Sequence, residues 1–62
     1  MPLVTIKIIE GRSQEQKRAL VKGITETIAR TVNCPESAVS IDIIEYNRDN
    51  LAQGGTLFCD RP

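Results

Sequence analysis

Two short segments of the chain alternate in the way that strands do, and the first begins almost at the N-terminus. Residues 3 to 9 read LVTIKII, rich in β-branched and apolar types. One face would carry Val4, Ile6 and Ile8, and the other Leu3, Thr5, Lys7 and Ile9. This alternation predicts a strand, and the apolar residues on both faces predict that it is buried on both sides.

A helical pattern follows. Ser13 with Gln16 three positions later forms a capping box, which marks a helix start. Two sets of residues then recur every fourth position on opposite sides of the helical wheel: apolar Leu20, Ile24, Ile28 and Val32, and charged Arg18, Lys22, Glu26 and Arg30. Gly23 costs such a helix about 1 kcal/mol relative to alanine, which predicts close approach of another backbone. Asn33-Cys34-Pro35 ends the helix.

The second alternating segment covers residues 38 to 46, AVSIDIIEY. Val39, Ile41 and Ile43 share one face, and Ser40, Asp42 and Ile44 share the other. The order strand, helix, strand predicts a right-handed crossover and a parallel pair. Further on, Gly54-Gly55 predicts a tight turn into a short strand at residues 56 to 58. The expected fold is α/β: a single β-α-β module with a parallel strand pair and a short C-terminal hairpin, forming one domain over residues 1–62.

This module needs partners to be stable. One helix covers one sheet face, so Leu3, Ile9 and Ile44 on the other face are left for assembly, with Lys7 and Asp42 as a candidate structural ion pair there. A chain of 62 residues buries only about 60% of the surface that its unfolded form exposes. Its two cysteines make one disulfide at most and lack metal-site spacing. We therefore expect an oligomer.

Charge and hydropathy exclude other classes of partner. Lys and Arg number eight, as do Asp and Glu, so no basic surplus indicates nucleic acid. No apolar run approaches a membrane span, and the start lacks the features of a signal peptide. These observations predict a cytoplasmic protein without a membrane partner, and no motif predicts a metal or another cofactor.

The candidate chemistry lies at Pro2. The chain has no histidine, which excludes Ser-His and Cys-His nucleophile pairs. Removal of Met1 would leave the secondary amine of Pro2 as a base; an α-amino group titrates near ~8 in water, and apolar surroundings lower that value. Taken alone, Pro2 is better explained as the start of an edge strand. Arg12 precedes the helix N-terminus, where anions are favoured, although a solvated loop charge fits as well.

The string M-P-L-V-T-I-K-I-I-E-G-R-S-x-E-Q-K, together with the β-α-β module and the late Gly-Gly turn, resembles the 4-oxalocrotonate tautomerase family over nearly the whole chain. The resemblance implies that Pro2 is the general base that moves a proton between an enol oxygen and a carbon of an unsaturated 2-oxo acid. It implies that Arg12 of a neighbouring subunit holds the substrate carboxylate. It also implies a hexamer built as a trimer of dimers.

Two positions depart from the family pattern. Ser40 stands where well-studied members carry a second arginine for the far end of the substrate, and Leu51 stands where they carry an aromatic residue. Leucine still excludes water, whereas serine has no charge. The sequence therefore predicts a preference for monocarboxylates, unless Arg48 or Arg61 supplies the missing cation.

Two other functions fit the same residues. Proline-assisted hydration or dehalogenation of a small unsaturated acid occurs elsewhere in the superfamily, but it usually recruits extra acidic and arginine partners. The chain could instead be a non-catalytic subunit of a tautomerase-like hexamer, which the changes at Ser40 and Leu51 favour.

Overall fold

A computed structural model describes all residues from 1 to 62, and its elements follow the predicted order. They are β1 (Leu3–Ile9), α1 (Gln14–Val32), β2 (Ser40–Tyr46), β3 (Ala52–Gln53) and β4 (Thr56–Leu57). Strands β1 and β2 pair in parallel, with Leu3 opposite Ser40 and Ile9 opposite Tyr46. Strands β3 and β4 pair antiparallel. The predicted α/β class, parallel pair and C-terminal hairpin are confirmed.

Helix α1 begins and ends where its capping residues predict. The Ser13 hydroxyl accepts a hydrogen bond from the Gln16 backbone N–H at 3.1 Å, and the Gln16 side chain accepts one from the Ser13 N–H at 2.8 Å. At the other end Asn33 has φ 58°, a left-handed conformation that asparagine tolerates. Its N–H bonds back to the Ala29 carbonyl, so both ends of the helix are fixed by local hydrogen bonds.

The helix covers one face of the sheet. Val4, Ile6 and Ile8 are half-buried, while Leu3 on the other face is 79% exposed. Glu45 lies on the same face of β2 as Ile41 and Ile43, and its carboxylate pairs with the Lys17 ammonium at 2.7 Å. Because Lys17 belongs to the first turns of α1, this ion pair joins the helix to the end of β2.

Strand β2 begins two residues later than the alternation predicts. Residues Glu36–Ala38 form a 3-10 turn, in which the Ala38 N–H donates to the Pro35 carbonyl at 3.0 Å and the Val39 N–H to the Glu36 carbonyl at 3.1 Å. These donors are therefore unavailable to β1. The first bond between the two segments is that of the Ser40 N–H to the Pro2 carbonyl, at 3.0 Å.

The C-terminal hairpin turns at Gly54 and Gly55, whose φ angles of 62° and 85° are both positive. Such turns match the twist of paired strands and favour glycine. The last strand is shorter than predicted, because Phe58 begins a 3-10 turn that runs to Asp60. The Phe58 N–H bonds instead to the Leu51 carbonyl at 2.8 Å, which ties the end of the hairpin back to the segment before it.

The predicted ion pair between Lys7 and Asp42 is wrong. Register places Asp42 directly opposite Thr5 and Lys7 opposite Ile44. The Thr5 hydroxyl donates to Asp42 Oδ1 at 2.8 Å, and no ion pair forms between Lys7 and Asp42 within the chain. The chain's single ion pair joins Lys17 and Glu45, and Lys7 has no acidic partner.

No residue of the isolated chain is fully buried. Its accessible surface is 4756 Å², against about 4,000 Å² for a compact protein of this mass. It measures 43 × 24 × 14 Å, and its radius of gyration is 14.9 Å, against about 10–11 Å for a compact chain of this length. The β-α-β layer is therefore thin, with apolar residues open on both sides.

One open side is the outer surface of α1. A groove of about 450 Å³ runs beside Ala19, Leu20, Gly23, Ile24, Thr27 and Ile28. Apart from the two neighbouring residues and the backbone of the helix itself, no atom lies within 4 Å of the place where a Cβ on Gly23 would stand. The backbone that Gly23 is predicted to approach is therefore absent from this chain. The helix also lacks the combination of length and apolar character that crossing a membrane requires.

Candidate active site

Pro2 and Ser40 lie together at the end of the sheet where β1 and β2 begin. Pro2 is half-buried, and its carbonyl accepts the Ser40 N–H at 3.0 Å. Met1, which precedes it, is 88% exposed. The strand pairing thus holds the Pro2 backbone in place while leaving the chain start accessible.

Arg12 lies at the opposite end, in the loop between β1 and α1. The loop is held on both sides: the Glu10 N–H donates to the Tyr46 carbonyl at 2.8 Å, and Ser13 caps the helix. Between these points Gly11 has φ 121°, a conformation open to glycine and strained for other residues. The exposed Arg12 side chain has no acidic partner, so its guanidinium is free to bind an anion.

Leu51 lines a groove at this same end of the sheet. The groove has a volume of about 360 Å³ and is formed by Lys7, Ile8, Ile9, Tyr46 and Leu51. Ile8, Ile9 and Leu51 present aliphatic side chains, and Tyr46 presents an aromatic one. Lys7 is the only charged residue among them, so the groove combines apolar walls with one positive charge.

Arg48 and Arg61, the two arginines considered as substitutes for the family's second arginine, do not line this groove. Arg48 is exposed in the 3-10 turn Arg48–Asn50. Arg61 donates to the Gln53 carbonyl at 3.0 Å, and its guanidinium lies 4.8 Å from the centre of the Phe58 ring. The Arg61 side chain therefore contacts both sides of the hairpin turn and stabilises it.

The candidate residues thus form two groups that one chain keeps apart. Strand β1 separates Pro2 from Arg12 and Leu51, and its seven residues span about 20 Å at roughly 3.3 Å per residue. A small unsaturated acid is much shorter than this. A site that uses all of these residues therefore requires at least two copies of the chain.

Sequence reasoning missed the other residues of the groove, above all Lys7 and Tyr46. The alternation places Lys7 in an ion pair and Tyr46 at the end of a strand, without a role in a site. A weak signal is nevertheless present, because Ile9 and Tyr46 end the two strands, and ends of parallel strands at one sheet edge commonly form binding sites. The contribution of Leu51, which follows a separate turn, depends on tertiary structure.

The chain is similar over almost its whole length to proteins of one family. A family model described as tautomerase enzyme matches residues 2–61. The chain is 40% identical over 60 residues to the 2-hydroxymuconate tautomerase of Bacillus subtilis strain 168, covering 97% of each protein.

Solved structures of related proteins have the same fold as this chain. The crystal structure of YwhB, described as a homologue of 4-oxalocrotonate tautomerase, superposes with a TM-score of 0.94 at 38% identity and covers 98% of this chain and 100% of that one. A heterohexameric 4-oxalocrotonate tautomerase from Chloroflexus aurantiacus J-10-fl superposes with a TM-score of 0.91 at 30% identity, covering 97% of each chain. From sequence and fold together, the chain belongs to the 4-oxalocrotonate tautomerase family.

Proposed function

We propose that this protein is a tautomerase that interconverts the enol and keto forms of a 2-hydroxydienoate or a related unsaturated 2-oxo acid. The observation that carries the proposal is the presence of Pro2 in a family of tautomerases, in a chain that has no histidine to act as the base. The free amine exists only after removal of Met1, because the nitrogen of Pro2 is otherwise part of a peptide bond and has no usable basicity.

The proposed reaction needs one group that accepts and returns a proton. The Pro2 nitrogen takes the proton from the enol O–H, and the oxygen electron pair forms the C=O bond. The conjugated double bonds shift, and the distal carbon takes the proton back from the Pro2 ammonium. Proton transfer by a positioned base contributes typically about 10²–10⁴-fold in rate. Pro2 thus returns to its starting state.

The remaining candidates bind the substrate. Arg12 offers a planar guanidinium for a charge-assisted, bidentate contact with the substrate carboxylate. Leu51 contributes an apolar wall, which disfavours the charged form of a nearby amine and thereby lowers its pKa. Ser40 and Arg48 would lie near the end of the substrate away from Arg12. Ser40 offers an uncharged hydroxyl group there.

We further propose that the working unit is a homohexamer, a trimer of dimers in which Pro2 of one subunit meets Arg12 of another. The separation of about 20 Å between the two groups supports assembly, as does the absence of any fully buried residue in the isolated chain. Residues left open on the sheet, such as Leu3 at 79% exposed and Ile44 at 39% exposed, provide the apolar surface that such contacts need.

The experiment is an ultraviolet assay of enol-to-ketone conversion on protein whose N-terminus has been determined by intact mass. We expect turnover by the form that begins at Pro2 and none above background by a preparation that retains Met1. Equal turnover by both forms would exclude Pro2 as the base.

The heterohexameric neighbour favours one second candidate, a non-catalytic subunit of a mixed assembly. In that case the pure chain would form hexamers with a free Pro2 amine and yet show no turnover, and activity would appear only after mixing with a second type of tautomerase chain. The same assay distinguishes the two candidates.

A further inference from the structure

The sheet face turned away from α1, here called the outer face, carries two opposite charges among aliphatic side chains. Leu3, Ile9 and Ile44 lie on it, together with Lys7 on β1 and Asp42 on β2. All of these except Ile9 are exposed in the single chain. The outer face is therefore an apolar contact surface interrupted by one cation and one anion, and any surface that covers it must accommodate both.

Within the chain the two charges are not paired with each other. The register sets Lys7 opposite Ile44 and Asp42 opposite Thr5. The Thr5 hydroxyl donates to Asp42 Oδ1 at 2.8 Å, and Oδ2 makes no hydrogen bond. Lys7 takes part in no ion pair. Each side chain thus has room for a charged partner that its own chain does not supply.

Covering the outer face without pairing its charges is unfavourable. A charge that is removed from water and gains no partner is strongly destabilising, whereas a close pair of opposite charges offsets much of that cost. In the proposed hexamer this face is covered, because Leu3 and Ile44 belong to the apolar surface assigned to contacts between subunits. Lys7 and Asp42 therefore each need a partner of opposite sign in the assembled protein.

A second copy of the same chain supplies both partners. The outer face carries one charge of each sign, so it is complementary to itself, and contact between copies can set each lysine against an aspartate. A covering surface of a single sign would leave one of the two charges unpaired. Resting on the proposed hexamer, we propose that Lys7 of one subunit pairs with Asp42 of another and that this pair fixes the alignment of the sheets across the interface.

Neutral single variants test whether each charge contributes to assembly. Asp42→Asn keeps an oxygen that accepts the Thr5 hydroxyl and removes only the charge, and Lys7→Met keeps an unbranched side chain. Dissociation is measured by sedimentation over a dilution series, in a fixed concentration of urea that dissociates part of the wild type. We expect each variant to dissociate at a protein concentration at least about tenfold higher than wild type. Lys22→Met, which removes the same charge from the exposed side of α1, should dissociate as wild type does.

A charge-swapped chain separates pairing between subunits from pairing within one subunit. The double variant Lys7→Glu/Asp42→Lys again has one charge of each sign on its outer face, and it is expected to form hexamers, unlike either reversal alone. When it is unfolded and refolded together with isotopically labelled wild type, every contact between the two chain types sets like charges against each other. Native mass spectrometry should therefore show hexamers of either chain by itself, with mixed hexamers below about a tenth of their statistical share.

Three results would overturn the inference: neutral variants that dissociate as wild type does, a swapped chain that stays dissociated, or free mixing of swapped and wild-type chains, which would place any pairing within one chain. The proposed function fails separately. A wild type that sediments as a folded monomer would refute the hexamer together with this inference. Hexamers that sort as expected yet turn over no enol acid would refute the tautomerase activity and leave the inference standing, whereas active hexamers that mix freely would do the reverse.

Discussion

At the scale of the residue, the proposed chemistry depends on a single nitrogen atom. Pro2 is held by the hydrogen bond from the Ser40 N–H to its carbonyl, 3.0 Å long, which fixes the backbone without using the nitrogen. In the proposed mechanism, substitution of Pro2 changes the base itself, whereas substitution of Arg12 changes only the contact with the substrate carboxylate. The two effects are separable by kinetics.

For Pro2→Ala we expect a fall in kcat of roughly 10²–10⁴-fold, because a primary amine is more strongly solvated and less well positioned than the ring nitrogen. The measurement is steady-state turnover of an enol acid, with intact mass confirming that Met1 has been removed from the variant. Circular dichroism and sedimentation identical to wild type serve as the control. A loss smaller than about threefold would contradict the assignment of Pro2 as the base.

For Arg12→Ala we expect kcat/KM to fall by about 30-fold to several thousand-fold, since loss of one partner of a charged pair costs about 2–5 kcal/mol. The loss should be alike for mono- and dicarboxylate substrates, because each retains the carboxylate that Arg12 is proposed to bind. Arg18→Ala, on the exposed charged side of α1, is the matched control. An effect confined to dicarboxylates would assign Arg12 to the far end of the substrate.

Substitution Ser40→Arg is expected to raise kcat/KM for a dicarboxylate relative to a monocarboxylate by about tenfold or more, because it adds a charged contact at the far end. The measurement is the ratio of the two values in wild type and variant. Ser40→Ala, which removes the hydroxyl without adding charge, is the control. An unchanged ratio in Ser40→Arg would show that position 40 does not reach the substrate.

At the scale of the element, the position of Arg12 depends on the junction between β1 and α1. The capping box at Ser13 and Gln16 defines where the helix begins, and the bond from the Glu10 N–H to the Tyr46 carbonyl defines where the strand ends. The ion pair that links the same helix to β2, 2.7 Å long, adds a second attachment. Arg12 is thus carried on a short loop with fixed ends.

Removal of the cap in Ser13→Ala is expected to cost about 1 kcal/mol of stability, which lowers Tm by roughly 4–8 °C in a domain of this size. Thermal unfolding at one fixed protein concentration measures it, because assembly makes Tm depend on concentration. Ser37→Ala, at an exposed serine without a side-chain hydrogen bond in the structure, should leave Tm within about 1–2 °C. Equal shifts in both variants would mean that the capping box contributes nothing.

At the scale of the whole molecule, a single chain has no fully buried residue. Its accessible surface of 4756 Å² exceeds the value of about 4,000 Å² for a compact protein of the same mass. Apolar surface is open on both layers: the groove at Gly23 on the helix side, and Leu3 and Ile44 on the sheet side. In the proposed hexamer, contacts between subunits cover these surfaces and join the two halves of the proposed site.

We expect Ile44→Asp to prevent assembly and to unfold the chain, because it places an unpaired charge on a surface that assembly buries. Sedimentation velocity and circular dichroism at micromolar concentration measure both consequences. Ile44→Val keeps the apolar character and should remain assembled. A folded wild-type monomer under these conditions would contradict the argument that the module depends on oligomerisation.

The secondary-structure elements and their order can be predicted from the amino-acid pattern. Strand β1, the helix with both of its ends, the parallel pairing and the glycine turn follow from alternation, capping residues and backbone preference, all of which act over a few positions. Local patterns predict the start of β2 less well. The N–H groups of Ala38 and Val39 donate to carbonyls within a 3-10 turn, so they do not pair with β1. Pro2 and Arg12 are recognisable as candidate site residues because they stand in a characteristic string of neighbours.

Which residues come into contact depends on the tertiary structure. The strand register places Asp42 opposite Thr5, whose hydroxyl donates to it, and Lys7 has no acidic partner within the chain. The path of the chain after β2 places Leu51 in the same groove as Lys7 and Tyr46. It also placed Pro2 and Arg12 at opposite ends of β1. Distances of this kind depend on pairing and packing between segments far apart in the chain, and the energies that set them are absent from any local pattern.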